Sequence, residues 1–264
     1  MALSKRKRAQ YIRYAQYVVI GVVAVAVVFS ANWGDLQRFF LNPDIIKDQF
    51  PAVITTALKN TLIYTACGFT FGLALGLVLA LMRLSSVGPW RWLSTGIIEL
   101  FRGLPALVVF LALGQGFPRA FPHLEIPFGN IGTVTLALGL VGGAYMAETI
   151  RAGIQAVPKG QMEAARTLGM SHTQAMITVV VPQAFRIILP PLTNELILLT
   201  KDSSLIYILG LSLDQYELTK WGREGMNSEA NLTPIIVIGF CYLIITVPLS
   251  IVVRRMEAKA GKAR

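Results

Sequence analysis

Charge is what this chain has least of. Asp, Glu, Lys and Arg make up 14% of its 264 residues, while 54% are hydrophobic. A soluble domain carries about 25% charged residues, so the balance points to an integral membrane protein. Cysteine and histidine are nearly missing, with two copies of each. Cys67 and Cys241 both fall inside apolar runs, where they read as buried free thiols rather than a disulfide framework or a zinc site. No G-x-x-x-x-G-K-[ST] stretch is present, hence no phosphate cradle of that kind for ATP, and no H-E-x-x-H. No catalytic residue, metal ligand or cofactor site can be nominated. The net charge of +10 does not suggest nucleic acid, because the basic residues cluster at the ends of apolar runs.

Those runs set the organisation. Lys5-Arg6-Lys7-Arg8 and Arg13 precede an apolar core from Val18 to Ser30. A basic flank and a short apolar core also describe a signal peptide, but Phe29 stands where cleavage needs a small residue. With Tyr11 to Trp33 counted, the segment is long enough for an uncleaved first span. Residues 34–52, with Pro43 and Pro51, read as a loop with room for a surface helix. Further spans are expected at Val53–Met82, Leu93–Gly116, Ile131–Ile150, Thr173–Thr200 and Thr233–Val253. The expected fold is all-α with about six transmembrane helices. Leu205–Leu213 is apolar but too short to cross, and suits a re-entrant or interfacial piece.

Fifteen of the 24 Lys and Arg fall in the N-terminal tail, 83–92, 151–172 and the tail from 254; six fall in 32–52, 117–130 and 201–232. The positive-inside rule therefore places both termini and the 151–172 loop in the cytoplasm.

Several features inside the spans invite a second reading. Gly68, Gly72 and Gly76 form one small-residue face for close helix approach. Thr56 and Asn60 make the outer half of the same helix polar, either lining a pathway or satisfying neighbouring helices. Glu99 and Arg102 are spaced to pair, and Pro105 should kink the helix after them. Glu148, one turn from Tyr145, either pairs with Arg151 or faces a substrate route. Pro182, Pro190 and Pro191 should kink or break the fifth span, exposing Asn194 and Glu195 as candidate lining residues.

The longest polar interruption near the centre runs from Pro158 to Pro182. Pro158 can open a helix, Gly169 can close it in a left-handed cap, and Ser171 with Gln174 makes a capping box for the next helix. On the short helix Ala164, Ala165 and Leu168 fall near one face, with Glu163 beside them.

The spelling carries more. Glu163-Ala164-Ala165, then Gly169, then Val179-x-Val181-Pro182 resembles the EAA loop of ABC-importer permeases, with Val for Ile and Leu. Phe101-Arg102-Gly103-Leu104-Pro105, Ala147–Ile154, Val157–Gln161 and Lys201–Leu205 extend the likeness to the polar amino acid (histidine/glutamine/arginine-type) branch, over about residues 53–254. The resemblance implies a five-helix type I importer core in 53–254, behind an extra N-terminal helix in 1–52 and before a basic tail in 255–264. It implies a cytoplasmic coupling helix at about 158–170 in which Glu163, Ala164, Ala165, Leu168 and Gly169 engage an ATP-binding cassette subunit. That partner would use ATP and Mg2+; this chain would bind no cofactor. A second permease, identical or homologous, an extracytoplasmic solute-binding protein and a polar amino acid complete the implied system, in a bacterial cell (inner) membrane. The competing reading is a self-sufficient ion-coupled transporter or channel, which usually needs internal repeats; none is visible in the sequence.

Overall fold

The computed structural model describes residues 5–262; Arg264, counted above with the basic tail, lies outside them. Among the described residues every regular element is helical. α1 (Lys5–Ser30) contains the first apolar span, Gln10–Ser30, none of whose most apolar stretch is buried against the rest of the chain. The connection after it, expected as a loop with room for a surface helix, holds two short helices, α2 (Trp33–Phe40) and α3 (Pro43–Gln49). Asn32 and Asn42 cap them by accepting the N–H groups of Asp35 (3.3 Å) and Asp44 (3.1 Å). Both lean on the distant C-terminal part. The Asn231 amide donates to Arg38 O (2.9 Å), and the Asn42 N–H to Thr233 Oγ1 (3.1 Å).

The second span is a π-helical turn, Val53–Leu58, running into α4 (Lys59–Leu84). The third departs from expectation. α5 (Gly88–Gly103) and the piece Ala106–Ala120, which contains α6 (Ala106–Leu111) and α7 (Phe117–Ala120), meet at 103°, far more than a kink. Pro105 disfavours helical backbone at the residue before it, and Leu104 is accordingly extended (φ −90°, ψ 138°), so α5 stops there.

α8 (Gly129–Gln155) is the central and most enclosed span. α9 (Lys159–Thr167) and α10 (His172–Ala175) follow, and a π turn, Met176–Val180, leads into α11 (Val181–Asp202). Of the expected kink or break in α11, the break does not occur: Pro190 and Pro191 lie within a continuous helix. Thr193 Oγ1 donates to Leu189 O (2.9 Å) one turn back, while the carbonyls that Pro190 and Pro191 leave without a helical donor are those of Arg186 and Ile187. After it comes a 3-10 turn, Ser203–Ile208, with Ile206 fully buried, so the start of the apolar piece Leu205–Leu213 is continuous with the fifth span and packs into the core. A second 3-10 turn (Leu213–Gln215), α12 (Leu218–Glu229) and α13 (Thr233–Lys262) end the chain. Among the described residues five helices are long and apolar enough to cross a membrane, and the bent pair, counted as one span, makes a sixth.

In a bilayer an apolar side chain gains little by leaving lipid for protein, so helices associate through close van der Waals packing. α4 and α8 do this with glycine. A Cβ on Gly72 would sit 3.2 Å from the Gly139 carbonyl oxygen and the Gly143 nitrogen, and one on Gly76 2.9 Å from the Gly143 carbonyl oxygen. The small-residue face of α4 is thus consumed within the chain and is not left for a partner subunit.

Candidate functional site

Three polar groupings stand on this frame. The first is α9. Its C-terminus is closed by two hydrogen bonds, Met170 N–H to Ala165 O (3.2 Å) and Gly169 N–H to Arg166 O (3.0 Å), with Gly169 at φ +87°. That is a Schellman cap. The next helix opens on the expected capping box, Ser171 with Gln174. Arg166 donates to Met170 O and Thr167 Oγ1 to Glu163 O. The sequence placed Ala164, Ala165 and Leu168 on one face; the structure divides them. Ala165 is buried, whereas Glu163, Ala164 and Leu168 are exposed. Leu168, at 82% exposure, is an apolar side chain held out on a rigid polar loop.

The second grouping is a cavity of about 490 Å3 where the α5–α6 corner meets α8 and α11. Arg102, Tyr145, Glu195 and Asp202 supply its polar lining; Val141, Gly142 and Leu199 its apolar wall. The break at Pro105 lets Arg102 reach it. The Arg102 guanidinium lies over the Tyr145 ring (5.4 Å), and the Tyr145 hydroxyl donates to Arg102 O (3.4 Å). Among the described residues neither Glu195 nor Asp202 is in an ion pair. A cavity with a cation on one wall and two carboxylates on another is complementary to a small zwitterion. Tyr145 and Glu195 were candidates in the sequence. Asp202 was not; its signal is the spacing of seven from Glu195, which puts both on one helix face.

The remaining candidates lie outside that cavity. The Glu148 carboxylate is bracketed by Arg83 and Arg151, the latter at 2.8 Å, so the expected pair with Arg151 forms and gains a partner from α4. Glu99 pairs with Arg83 (3.8 Å) and not with Arg102. Asn60 is committed elsewhere: its amide donates to Asp214 O (2.7 Å) and Tyr216 O (3.0 Å). Thr56 is half-buried and Asn194 exposed.

The third grouping is the anchor that Asn60 begins. Thr61 Oγ1 accepts the Leu218 N–H (3.1 Å), and the Tyr64 hydroxyl donates to Gln215 O (3.0 Å). The polar residues at this end of α4 therefore hold the 213–218 segment. At its centre Glu217, fully buried, caps α12 by accepting the Thr219 and Lys220 N–H groups (2.5 and 2.6 Å). Burial pushes its carboxyl up to about 7, against the pull of those donors.

Helices long and apolar enough to cross a membrane, packed around the central α8, make the architecture of a membrane permease, and comparison with known proteins agrees. Residues 72–262 match the family model described as binding-protein-dependent transport system inner membrane component. The chain is 34% identical over 227 residues to a probable glutamine ABC transporter permease protein, GlnM, of Bacillus subtilis, covering 84% of this chain and all of that one. It is 37% identical to the L-cystine transport system permease protein TcyB of the same organism, over 83% of this chain and 91% of TcyB. In the crystal structure of an amino acid ABC transporter with histidines, one chain superposes with a TM-score of 0.71 at 34% identity, covering 81% of this chain and 96% of that one. A chain of the MetNI methionine ABC transporter shares the fold at 17% identity (TM-score 0.64), covering 79% of this chain and 96% of that one. This chain belongs to the family of binding-protein-dependent inner-membrane transport components. It is a membrane-spanning permease subunit of the ABC-importer type.

Proposed function

We propose that the chain forms the translocation pathway of an ATP-driven importer for polar amino acids, with α9 as its coupling helix. The carrying observation is Leu168, exposed on a helix whose end is tightly closed. Leu168 and Ala164, one turn apart, with Glu163 beside them, make a surface that fits a cleft on an ATP-binding cassette subunit. Ala165 holds the helix from within and Gly169 ends it. ATP and Mg2+ belong to that partner; this chain is non-catalytic and binds neither. A second permease, identical or homologous, and an extracytoplasmic solute-binding protein complete the assembly. The Lys and Arg distribution supports cytoplasmic termini and a cytoplasmic α9. Residues 53–254 act as the permease domain, flanked by 1–52 and 255–264.

The substrate class rests on the relatives' names and on the zwitterion-complementary cavity. Arg102 suits an α-carboxylate, and Glu195 and Asp202 suit an ammonium group. Tyr145 and Glu195 are the pathway residues this reading retains, ahead of Thr56, Asn60, Glu148 and Asn194. A self-sufficient ion-coupled transporter leaves the exposed face of α9 without a task.

The test is co-purification in mild detergent of wild type beside Leu168→Asp, with ATPase assay. An ATP-binding subunit that accompanies wild type and is lost from a well-folded Leu168→Asp supports the proposal. Wild type recovered alone, without ATPase activity but moving amino acids by ion coupling, overturns it.

A further inference from the structure

A groove of about 590 Å3 opens at the same end of the bundle as α9, between the ends of α4 and α8 and the start of α5. Arg83, Arg91, Arg151, Trp92, Thr95 and Gln155 line it. Three guanidinium groups thus face one space. Two are held in place: Arg83 by Glu148 and Glu99, and Arg151 by Glu148 and by donating to Gln155 Oε1 (2.6 Å). Arg91 has no ion pair and no side-chain hydrogen bond among the described residues. Three cations meet two carboxylates, neither of which lines the groove, so the lining is wholly cationic or neutral.

The site is built rather than incidental. Ser94 Oγ donates to Leu79 O (2.6 Å) and locks the first turns of α5 against α4, which fixes Arg91 and Thr95 relative to Arg83. Gly96 leaves the floor open, with nothing within 4 Å of where a Cβ would stand. The surroundings select the ligand. Trp92, which lines the groove, and its neighbours Trp90 and Leu93 are exposed at the start of α5. That is an apolar surface with interfacial tryptophans at one end of membrane-spanning helices. Planar guanidinium forks match phosphate oxygens. Acyl chains below such a head group would lie along the exposed apolar residues at the start of α5.

We propose that this groove is a binding site for the phosphodiester head group of an anionic membrane phospholipid. Arg83, Arg91 and Arg151 take the phosphate charge, and Thr95 and Gln155 hydrogen-bond the head group. The lipid fastens the α4–α5 turn to α8, immediately before the chain enters α9. This proposal is independent of the substrate and partner assignment above.

The test is thermal unfolding of the purified protein, with whatever subunits accompany it, after delipidation. Phosphatidylglycerol, phosphatidylcholine or inorganic phosphate is then added back. Arg91→Gln removes the unpaired cation, Gly96→Val fills the groove from an open position, and Arg255→Gln is a basic-tail control. Phosphatidylglycerol is expected to raise the melting temperature of wild type and of Arg255→Gln well above the effect of phosphatidylcholine. Its half-saturating concentration should rise about tenfold or more in Arg91→Gln and Gly96→Val. Equal responses to the two lipids, or an unchanged response in both groove variants, overturn the proposal. Stabilisation by inorganic phosphate matching that of phosphatidylglycerol overturns the assignment to a lipid.

Discussion

Gly76 of α4 lies so close to Gly143 of α8 that a methyl group on Gly76 would stand 2.9 Å from the Gly143 carbonyl oxygen. Backbone cannot yield there as a flexible side chain would. Gly76→Ala should therefore force the two helices apart, at a cost of about 1–3 kcal/mol. Gly239→Ala, with nothing within 4 Å, should stay within about 0.5 kcal/mol of wild type. Unfolding of both variants in detergent checks this, and equal melting temperatures would contradict the packing argument.

Gly169 sits at φ +87°, a backbone state that costs an L-residue roughly 1–2 kcal/mol. Gly169→Ala should loosen the cap of α9 and let Leu168 wander, while the distant α4–α8 packing is unaffected. ATPase activity of the assembled complex should fall several-fold with little change in melting temperature. A large stability loss without a coupling defect would make the cap purely structural.

Glu195 and Asp202 share one cavity with Arg102. Charge-assisted hydrogen bonds contribute about 1.5–3 kcal/mol. Glu195→Gln or Asp202→Asn should therefore weaken amino acid transport roughly tenfold to a hundredfold, read as apparent affinity in proteoliposomes. Glu148→Gln should not have that effect on affinity, because its carboxylate faces Arg83 and Arg151 instead.

Glu217 makes a pH prediction. Its folded carboxyl is raised to about 7 from an ordinary value near 4.5, so the folded state holds a proton that the unfolded state has released. Stability then falls as pH rises from about 4.5 through 7, by on the order of 3 kcal/mol at most. Around it the Tyr242 hydroxyl donates to the carboxylate (3.3 Å), while the Lys220 ammonium is turned to Glu224. Glu217→Gln keeps an acceptor for the α12 cap and should flatten the pH profile. Melting curves from pH 5 to 8 that run parallel for both proteins would contradict this.

The sequence by itself determined the all-helical membrane character, the presence of α9 with its two caps, and the family. These are local properties: apolar length, a proline before a helix, a glycine after it, a serine three residues before a glutamine. Tertiary structure decided what distant residues do to one another. Asn60, polar in an apolar span, read equally as pathway lining or as packing; only the return of residues 214–216 to the end of α4 shows where its amide goes. Glu99 had a sequence neighbour in Arg102, but Arg83 from another helix reaches it. Pro105 and Pro190–Pro191 looked alike as helix breakers. One ends a helix because Leu104 turns extended, and the other pair is carried inside a packed helix. Periodicity shows which face a residue occupies, but the occupant of the opposite face comes from a part of the chain that local physics does not specify.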